Sequence, residues 1–559
     1  SVLFRALQLV LPLSILSLTY LYLYPFVHGC AFPSPVASSH HVSFNASFIG
    51  PGGFQQQADQ ARATIPPIAP FRLLALGDPQ LEGDSSLPKL NEDGKGVFPS
   101  LHPFWIYSPT SLNFGIIRNA FRDLIIKDIP KLAKYSQKWL DLLGNDFYLA
   151  HIYRTMSWWA EPTHLVVLGD LLGSQWVSDE EFDRRSDRFW DRVFKGAEKV
   201  TDETIYVGED ENESAAERME VLGADEDWRT RIIAVAGNHD IGYAGDLDEK
   251  RIERFERRFG RVNWSIRFTL SPTEPTLCDT PSSISNDTRP DDPPTLRLII
   301  LNSMNLDTPA LSPSLQSSTY DFLNTAILTQ SPLPQSPEGP DHTGTILLTH
   351  IPLHKREGVC ADAPYFNFFS GLEGDGVKEQ NHLSDYASRV GILEGIFGMS
   401  GEGHNAAYRG LGRRGMVLTG HDHVGCDIWH FWNATMNVDN EDGIEKLVGG
   451  WDAVRYADAA DFVQQHDVVI HRMAEGDRPI PGLRETTVRS MMGEFGGNAG
   501  LLSGWFDEEL QEWRFEYASC KLGVQHIWWA IHILALVALL MTVVGIVAFI
   551  AEQRRPAIE

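Results

Sequence analysis

Cysteine is scarce in this chain of 559 residues: five are present, Cys30, Cys278, Cys360, Cys426 and Cys520. No two have CxxC spacing, which argues against a zinc finger. An odd number leaves at least one thiol unpaired within the chain. Cys30 follows one long apolar run and Cys520 precedes another, so a Cys30–Cys520 bridge is one option and Cys360 with Cys426 a second; spacing alone leaves the connectivity open. Positive charge is also in short supply. Lys and Arg number 47 against 74 Asp and Glu, a net charge of −27. Without a basic run, nucleic acid is not an expected partner, and the excess reads as a solvated acidic surface. The glycine-rich piece Gly493 to Gly504 lacks the GK[ST] ending of a nucleotide loop and reads as a turn between strands.

What the chain does have begins with two uncharged apolar runs. Leu7 to Val27 carries no charge, and Ile527 to Ala551 has His532 as its sole titratable residue. Both are long enough to span a bilayer, giving expected transmembrane helices at 1–27 and 527–551. A cleaved signal peptide is the alternative for the first. A lipid-anchor attachment tail is the alternative for the second, but Glu552, Arg554 and Arg555 follow it, whereas such a tail ends apolar. Arg5 before the first run, with Arg554 and Arg555 after the second, places both tails in the cytosol by the positive-inside rule. The large middle then lies in a lumen. Sequons at Asn45, Asn212, Asn263, Asn286 and Asn433 agree with that.

Five apolar, strand-like runs each end in Asp, Asn or His: LLALGDPQ (Leu73 to Gln80), LVVLGDLLG (Leu165 to Gly173), IIAVAGNHD (Ile232 to Asp240), ILLTHIP (Ile346 to Pro352) and MVLTGHDH (Met416 to His423). Polar side chains of this kind at buried strand ends carry a desolvation cost unless something compensates it. Two divalent cations would. Held about 3.5–4 Å apart they clamp a phosphate ester and activate a water, and they need a shared carboxylate with oxygen and imidazole ligands on either side. Asp170, on a GD turn where glycine lets backbone approach closely, is the best candidate for the shared group.

The order D-x-[HQ], GD, GNH[DE], H, GHxH resembles the calcineurin-like metallophosphoesterases, over the span from Asp78 to His423. The resemblance implies an α/β fold, a four-layer αββα sandwich of two mixed β-sheets. It implies that Asp78, Gln80, Asp170 and His423 hold a first metal, and that Asp170, Asn238, His350 and His421 hold a second. It makes His239 the group that assists the leaving oxygen. Gln80 stands where many members carry His, which weakens the first site and, with its oxygen-rich ligands, favours Mn²⁺ over Zn²⁺ or Fe.

The DPQ form of the first motif, GDPQLEGD (Gly77 to Asp84) and GNDFYLAHIYRTM (Gly144 to Met156), with apolar runs at both ends, look like the metallophosphoesterase one and fungal Ted-type subfamily. That resemblance implies removal of ethanolamine phosphate from a mannose of the glycosylphosphatidylinositol (GPI) anchor glycan, in the endoplasmic reticulum or early Golgi membrane. The implied partners are the GPI glycan of anchored proteins, the bilayer and cargo-receptor machinery. A lumenal phosphomonoesterase and a non-catalytic cargo-handling factor are the competing readings.

Along the chain, 28–70 reads as a linker and 71–522 as one lumenal domain with insertions, followed past the second span by a tail at 552–559. Helical spacing runs from Asn113 to Tyr135 and from Trp139 to Trp159, with Asn145-Asp146 a break between helical pieces. These helices are expected on the sheet, with a membrane-facing surface as the alternative. Ser178 starts a capped helix and Asp246 to Gly260 holds another, with a short one from Thr319 to Leu328. Glu209 to Asp227 reads as an acidic insertion. Residues 353–415, with Tyr365, Phe366, Phe368, Phe369, His382 and His404, read as a loop overhanging the site. His354 is expected to be a neighbour rather than a ligand, and Asp422 to support its turn. The β-like runs after His423 are expected to build a second sheet packed on the first.

Overall fold

The computed structural model describes residues 2–35, 67–90, 96–106, 114–205, 217–270, 293–330, 342–360, 363–370, 376–400, 412–438, 445–459 and 482–553. Most of the 28–70 linker, Cys278, His404, the tail from 554 and the sequons at Asn45, Asn212 and Asn286 lie outside the described residues.

In chain order the described strands are β1 (Phe71–Leu76), β2 (His164–Leu168), β3 (Glu198–Lys199), β4 (Arg218–Val221), β5 (Arg231–Val235), β6 (Trp264–Thr269), β7 (Thr295–Ile300) and β8 (Thr343–Leu348). They continue with β9 (Phe366–Phe368), β10 (Val377–Gln380), β11 (Gly415–Thr419), β12 (Cys426–Val438), β13 (Glu445–Arg455), β14 (Leu483–Thr487), β15 (Asn498–Asp507) and β16 (Glu512–Lys521). Two mixed sheets result. One runs β16-β15-β1-β2-β5-β3 and the other β13-β12-β14-β11-β8-β7-β6-β4, with β9 and β10 a separate hairpin. The strands β1, β2 and β5 are mutually parallel in the first sheet, and β7, β8, β11 and β14 in the second.

The apolar runs form strands because both faces of each find a core. Leu73, Ala75, Val166, Leu168, Ile233 and Val235 of the first sheet share one core with Leu298, Ile300, Ile346, Leu348, Met416 and Leu418 of the second. The alternate residues Leu74, Leu76, Leu165 and Val167 pack instead with Tyr148, Leu149 and Ile152 of the long helix Ile129–Ala160. On the far side of the second sheet, Leu347 and Val417 share their core with Leu323 and Ala326 of the helix Pro313–Leu328. Each fully buried side chain of this size contributes about 1.5–3 kcal/mol. Parallel strands in register then bring their carboxyl ends, and the polar residues that follow them, to one edge.

Several expectations need correction. The strands after His423 do not build a second sheet of their own. Three of them, β12, β13 and β14, extend the sheet of β8 and β11, while β15 crosses back to pair with β1 and β16 pairs with β15 at the sheet edge. Gly493 to Gly504 is not a turn, since Asn498–Asp507 is the strand paired with β1. Its glycines make room for the aromatics of β16: a Cβ on Gly500 would sit 2.7 Å from the Tyr517 hydroxyl. Asn145-Asp146 does not break the helix, which runs unbroken through it. Asp146 is buried there because Arg188 and Arg192 bind its two oxygens at 2.6–2.9 Å. Part of the acidic Glu209 to Asp227 segment is strand β4 at the sheet edge. The short helix expected from Thr319 begins earlier, at Pro313, capped by Ser312. Ser178 does cap its helix, accepting the Glu181 N–H.

Among the described residues, two helices are long and apolar enough to cross a membrane, Leu3–Tyr22 and Gln525–Gln553. They lie against each other, and Tyr22 Oη is 3.4 Å from His532 Nε2. Both anticipated disulfides are present, Cys30–Cys520 and Cys360–Cys426. The first ties the end of the N-terminal apolar helix to β16, just before the C-terminal one.

Candidate metal centre

Each motif residue sits on the turn that follows a core strand, and the backbone there is unusual. Six non-glycine residues among those described take positive φ, and four of them are Asp78 (48°), Gln80 (42°), Asp170 (49°) and His421 (71°). Such conformations cost free energy and persist only where surrounding structure imposes them, typically at functional sites. Asp tolerates this region better than most residues, which suits a carboxylate to these turns. The motif glycines serve close approach. A Cβ on Gly237 would lie 2.2 Å from the backbone nitrogen of Asp170, and one on Gly420 would lie 2.3 Å from the Leu168 carbonyl oxygen.

Asp170 is 1% exposed and central. Its Oδ1 accepts the His239 backbone N–H at 2.8 Å, and its Oδ2 lies 3.0 Å from Gln80 Nε2. His350 Nε2 stands 3.4 Å from Oδ1, and His239 Nε2 3.8 Å from Oδ2. Asp78 Oδ1 accepts the His421 N–H at 3.0 Å, while its Oδ2, fully buried, has no hydrogen-bond partner. Asn238 Oδ1 lies 3.1 Å from His350 Nε2. Gln80 Nε2 is 3.1 Å from His423 Nε2. Turning that amide by 180° puts Oε1 in its place, so that Gln80, His423 and Asp170 all offer lone pairs to one point.

The imidazoles are oriented from behind. His350 Nδ1 donates to the Leu168 carbonyl at 2.7 Å, which leaves Nε2 facing Asp170 and Asn238. His421 Nε2 donates to the Gln380 carbonyl at 2.8 Å, which leaves Nδ1 facing inward. A ring nitrogen fixed in this way determines which nitrogen carries the free lone pair. Two clusters emerge, each with ligand atoms within 4.8 Å of one another: Asp170, His350 and His421, and Asp78, Asp170 and His423. Asp170 belongs to both.

The electrostatics show what the site lacks without cations. Burial, reinforced by Asp170, pushes the Asp78 carboxyl up to about 8. Burial also acts to raise Asp170, but the nearby His350 and His239 rings together hold it below the ordinary carboxylate range. Desolvation lowers His421 to about 3, with His350 adding to the effect, and lowers His423 as well. Burial acts to lower His350, but the Asp170 carboxylate beside it raises it to about 9, so a divalent cation here would take the place of a proton and be met by the carboxylates and imidazoles that such a metal takes.

Several contributors were not anticipated. Asp240 is buried and accepts the N–H groups of Leu171, Leu172 and Gly237 at 2.9–3.1 Å, locking the GD and GNHD turns together. The loop after β14 supports the Asp78 turn, with Met491 N bonded to Gly77 O and Ser490 Oγ to Asp78 O. The region expected to overhang the site contributes the β9–β10 hairpin, whose Gln380 carbonyl holds His421. A cavity of about 490 Å³ opens over the cluster, lined in part by His239, Tyr243, Trp176, Tyr365, Glu379 and Phe495. Asp422 supports its turn by accepting the Val424 N–H. His354 lines a different cavity, with Lys355 and Arg389.

No family model matches the chain. Among proteins of known sequence it is 30% identical over 466 residues to Protein TED1 of Saccharomyces cerevisiae, covering 76% of this chain and 80% of that one. The chain belongs to the Ted1-type metallophosphoesterases. An uncharacterized Schizosaccharomyces pombe protein is 28% identical over 411 residues, covering 70% of this chain and 78% of its own. Metallophosphoesterase 1 of Mus musculus is 23% identical over 157 residues, 28% of this chain and 32% of that one. With two clusters of Asp and His side chains that share Asp170, this Ted1-type chain is a metal-dependent phosphoesterase.

Proposed function

We propose that the chain is a lumenal two-metal phosphodiesterase of the endoplasmic reticulum or early Golgi membrane. In this reading it removes an ethanolamine phosphate side group from a mannose of the GPI-anchor glycan during maturation and export of GPI proteins. Residues 71–522 form the catalytic unit, as a four-layer αββα sandwich, and the helices Leu3–Tyr22 and Gln525–Gln553 hold it to the bilayer with both tails cytosolic. The observation that carries the reading is the pair of ligand clusters sharing Asp170 beneath an open cavity.

The residues fit two divalent ions. Asp78, Gln80, Asp170 and His423 would hold one, and Asp170, Asn238, His350 and His421 the other. The unpartnered, buried Asp78 Oδ2 is accounted for by a cation. Bound divalent ions, with Mn²⁺ favoured, would polarise phosphoryl oxygens and lower the pKa of a water. The chain's own residues do the rest. His239, fixed through its backbone N–H to Asp170, faces the cavity and delivers a proton to the departing sugar oxygen. Glu379 lends the cavity a carboxylate for the ethanolamine ammonium, and Trp176 and Tyr365 offer ring faces beside it.

The test uses the full chain, purified in detergent and supplied with Mn²⁺. Release of ethanolamine phosphate from a synthetic mannose-linked diester is expected, with slower turnover of the matching monoester. A preference for the monoester would favour a phosphomonoesterase. Binding of the glycan without turnover at full metal occupancy would favour a cargo-handling factor. A C-terminal tag accessible to protease in sealed microsomes tests the orientation.

A further inference from the structure

The long helix Ile129–Ala160 is buried only in its second half. From Leu142 onward it packs on the first sheet, but the stretch before it, together with the preceding helix Phe114–Asp123, does not reach the sheet. Along this arm the outward face is apolar. Phe114 is 80% exposed and Ile125 62%, with Phe121, Ile129 and Leu140 also exposed. Their spacings of 7, 4, 4 and 11 residues are each close to a whole number of helical turns, so they lie in a stripe along one side of a helical surface. The segment before the arm packs against it: Phe104 meets Phe121 edge to face, and buried Asp128 accepts the Ser100 N–H.

We propose that this stripe lies in the surface of the bilayer crossed by the helix Gln525–Gln553, as an amphipathic arm at the lipid interface. It rests on the reading that this helix spans the membrane. The stripe ends where that helix leaves the domain: Leu140 and Trp529 line one cavity, and the bare Cα of Gly144 receives the Trp529 ring. Arg118, Arg122, Lys127 and Lys134 are exposed along the arm, Arg122 and Lys127 paired with Asp123, as on helices that bury apolar side chains among acyl chains and keep long basic side chains at the headgroups. Exposed Trp139 sits on the arm and exposed Trp105 on the short helix Pro103–Ile106, whose Phe104 packs on Phe121; Trp is the residue type enriched at membrane interfaces. The arm is also rigidly joined to the metal centre. Lys138 pairs with Glu82 at 3.0 Å, and Arg188 bridges Asp146 to the Glu82 carbonyl, two residues past Gln80. An arm on the bilayer therefore sets the height and tilt of the cavity over a lipid-anchored substrate.

The experiment attaches bimane at Ile125→Cys in the full chain, in a Cys278→Ser background, reconstituted in phosphatidylcholine vesicles with or without brominated acyl chains. Leu540→Cys, within the C-terminal apolar helix, and exposed Leu328→Cys, on the helix Pro313–Leu328, are labelled in parallel. Brominated lipid is expected to quench most of the emission at positions 125 and 540 and little at 328. Quenching at 540 with none at 125 would overturn the arm while leaving the span intact. No quenching at 540 would overturn the span and the arm with it. Shielding at 125 that rises with protein concentration in detergent, without quenching by brominated lipid, would assign the stripe to a second copy of the chain and overturn the proposal.

Discussion

His350 Nε2 stands 3.4 Å from Asp170 Oδ1, while its Nδ1 is engaged by the carbonyl of Leu168, two residues before Asp170. One strand end thus positions both a carboxylate and the ring that faces it. The first prediction follows from the place of Asp170 in both clusters. Asp170→Asn is expected to abolish turnover and reduce occupancy at both metal sites, with the fold retained. Asn tolerates the φ of 49° found there. Metal content, activity and far-ultraviolet circular dichroism measured on the same preparation check this. Two metals bound with full activity would remove Asp170 from the shared position.

His239 is 37% exposed at its side chain, against 2% for Asp170 and 0% for Asp78 and His350, and it lines the cavity. His239→Ala is expected to lower kcat by about 10²–10⁴-fold and to keep most of the metal. The hydrogen bond to Asp170 is made by the backbone N–H and survives the substitution, while the 3.8 Å approach of the ring to Oδ2 is lost. A fall in metal content parallel to the fall in rate would make His239 a ligand instead.

These two residues were legible in the sequence because each ends an apolar run, and a buried strand end is a costly place for an unpaired polar group. The same logic picks out Asp78, Asn238, His350, His421 and His423. The supports behind them left no such mark. The Gln380 carbonyl that orients His421 is a backbone atom in an insertion, and any residue could supply it. Asp146 looked like a helix breaker because local propensity is all a sequence window shows; Arg188 and Arg192, far along the chain, are what bury it. Strand β15 was hidden by its glycines, whose reason is the aromatic surface of β16.

Gln80 makes the third prediction. Its φ of 42° is one that His also adopts more readily than most residues, so Gln80→His should fold normally. Imidazole suits Zn²⁺ better than an amide oxygen does. The variant is expected to bind metal more tightly and to shift preference toward Zn²⁺, without a required gain in rate. Titration of Mn²⁺ and Zn²⁺ into both forms, followed by diester hydrolysis, reads this out. Identical affinities and preferences would place Gln80 outside the metal's immediate ligands.

The last prediction concerns a buried charge cluster beside the metal centre. Glu485 is fully buried on β14; its Oε2 lies 2.7 Å from His430 Nε2 and 3.5 Å from Lys355 Nζ, and its Oε1 accepts the Leu353 N–H at 2.8 Å. Burial acts to raise this carboxyl, but Lys355 and His430 together hold it down at about 2. A carboxylate lowered on folding stabilises the protein above its unfolded pKa, and that contribution is lost as pH falls through the folded value. Here the window runs from the unfolded value of about 4.3 down to about 2. Glu485→Gln leaves the Lys355 ammonium buried without its partner, an expected loss of about 3–5 kcal/mol at neutral pH. Urea unfolding of both forms at pH 7 and at pH 3 measures it. The gap between them should narrow at the lower pH, and Glu485→Gln combined with Lys355→Met should recover part of the loss at pH 7. A gap that is equal at both pH values and unchanged in the double variant would mean that Glu485 acts through shape and not through charge.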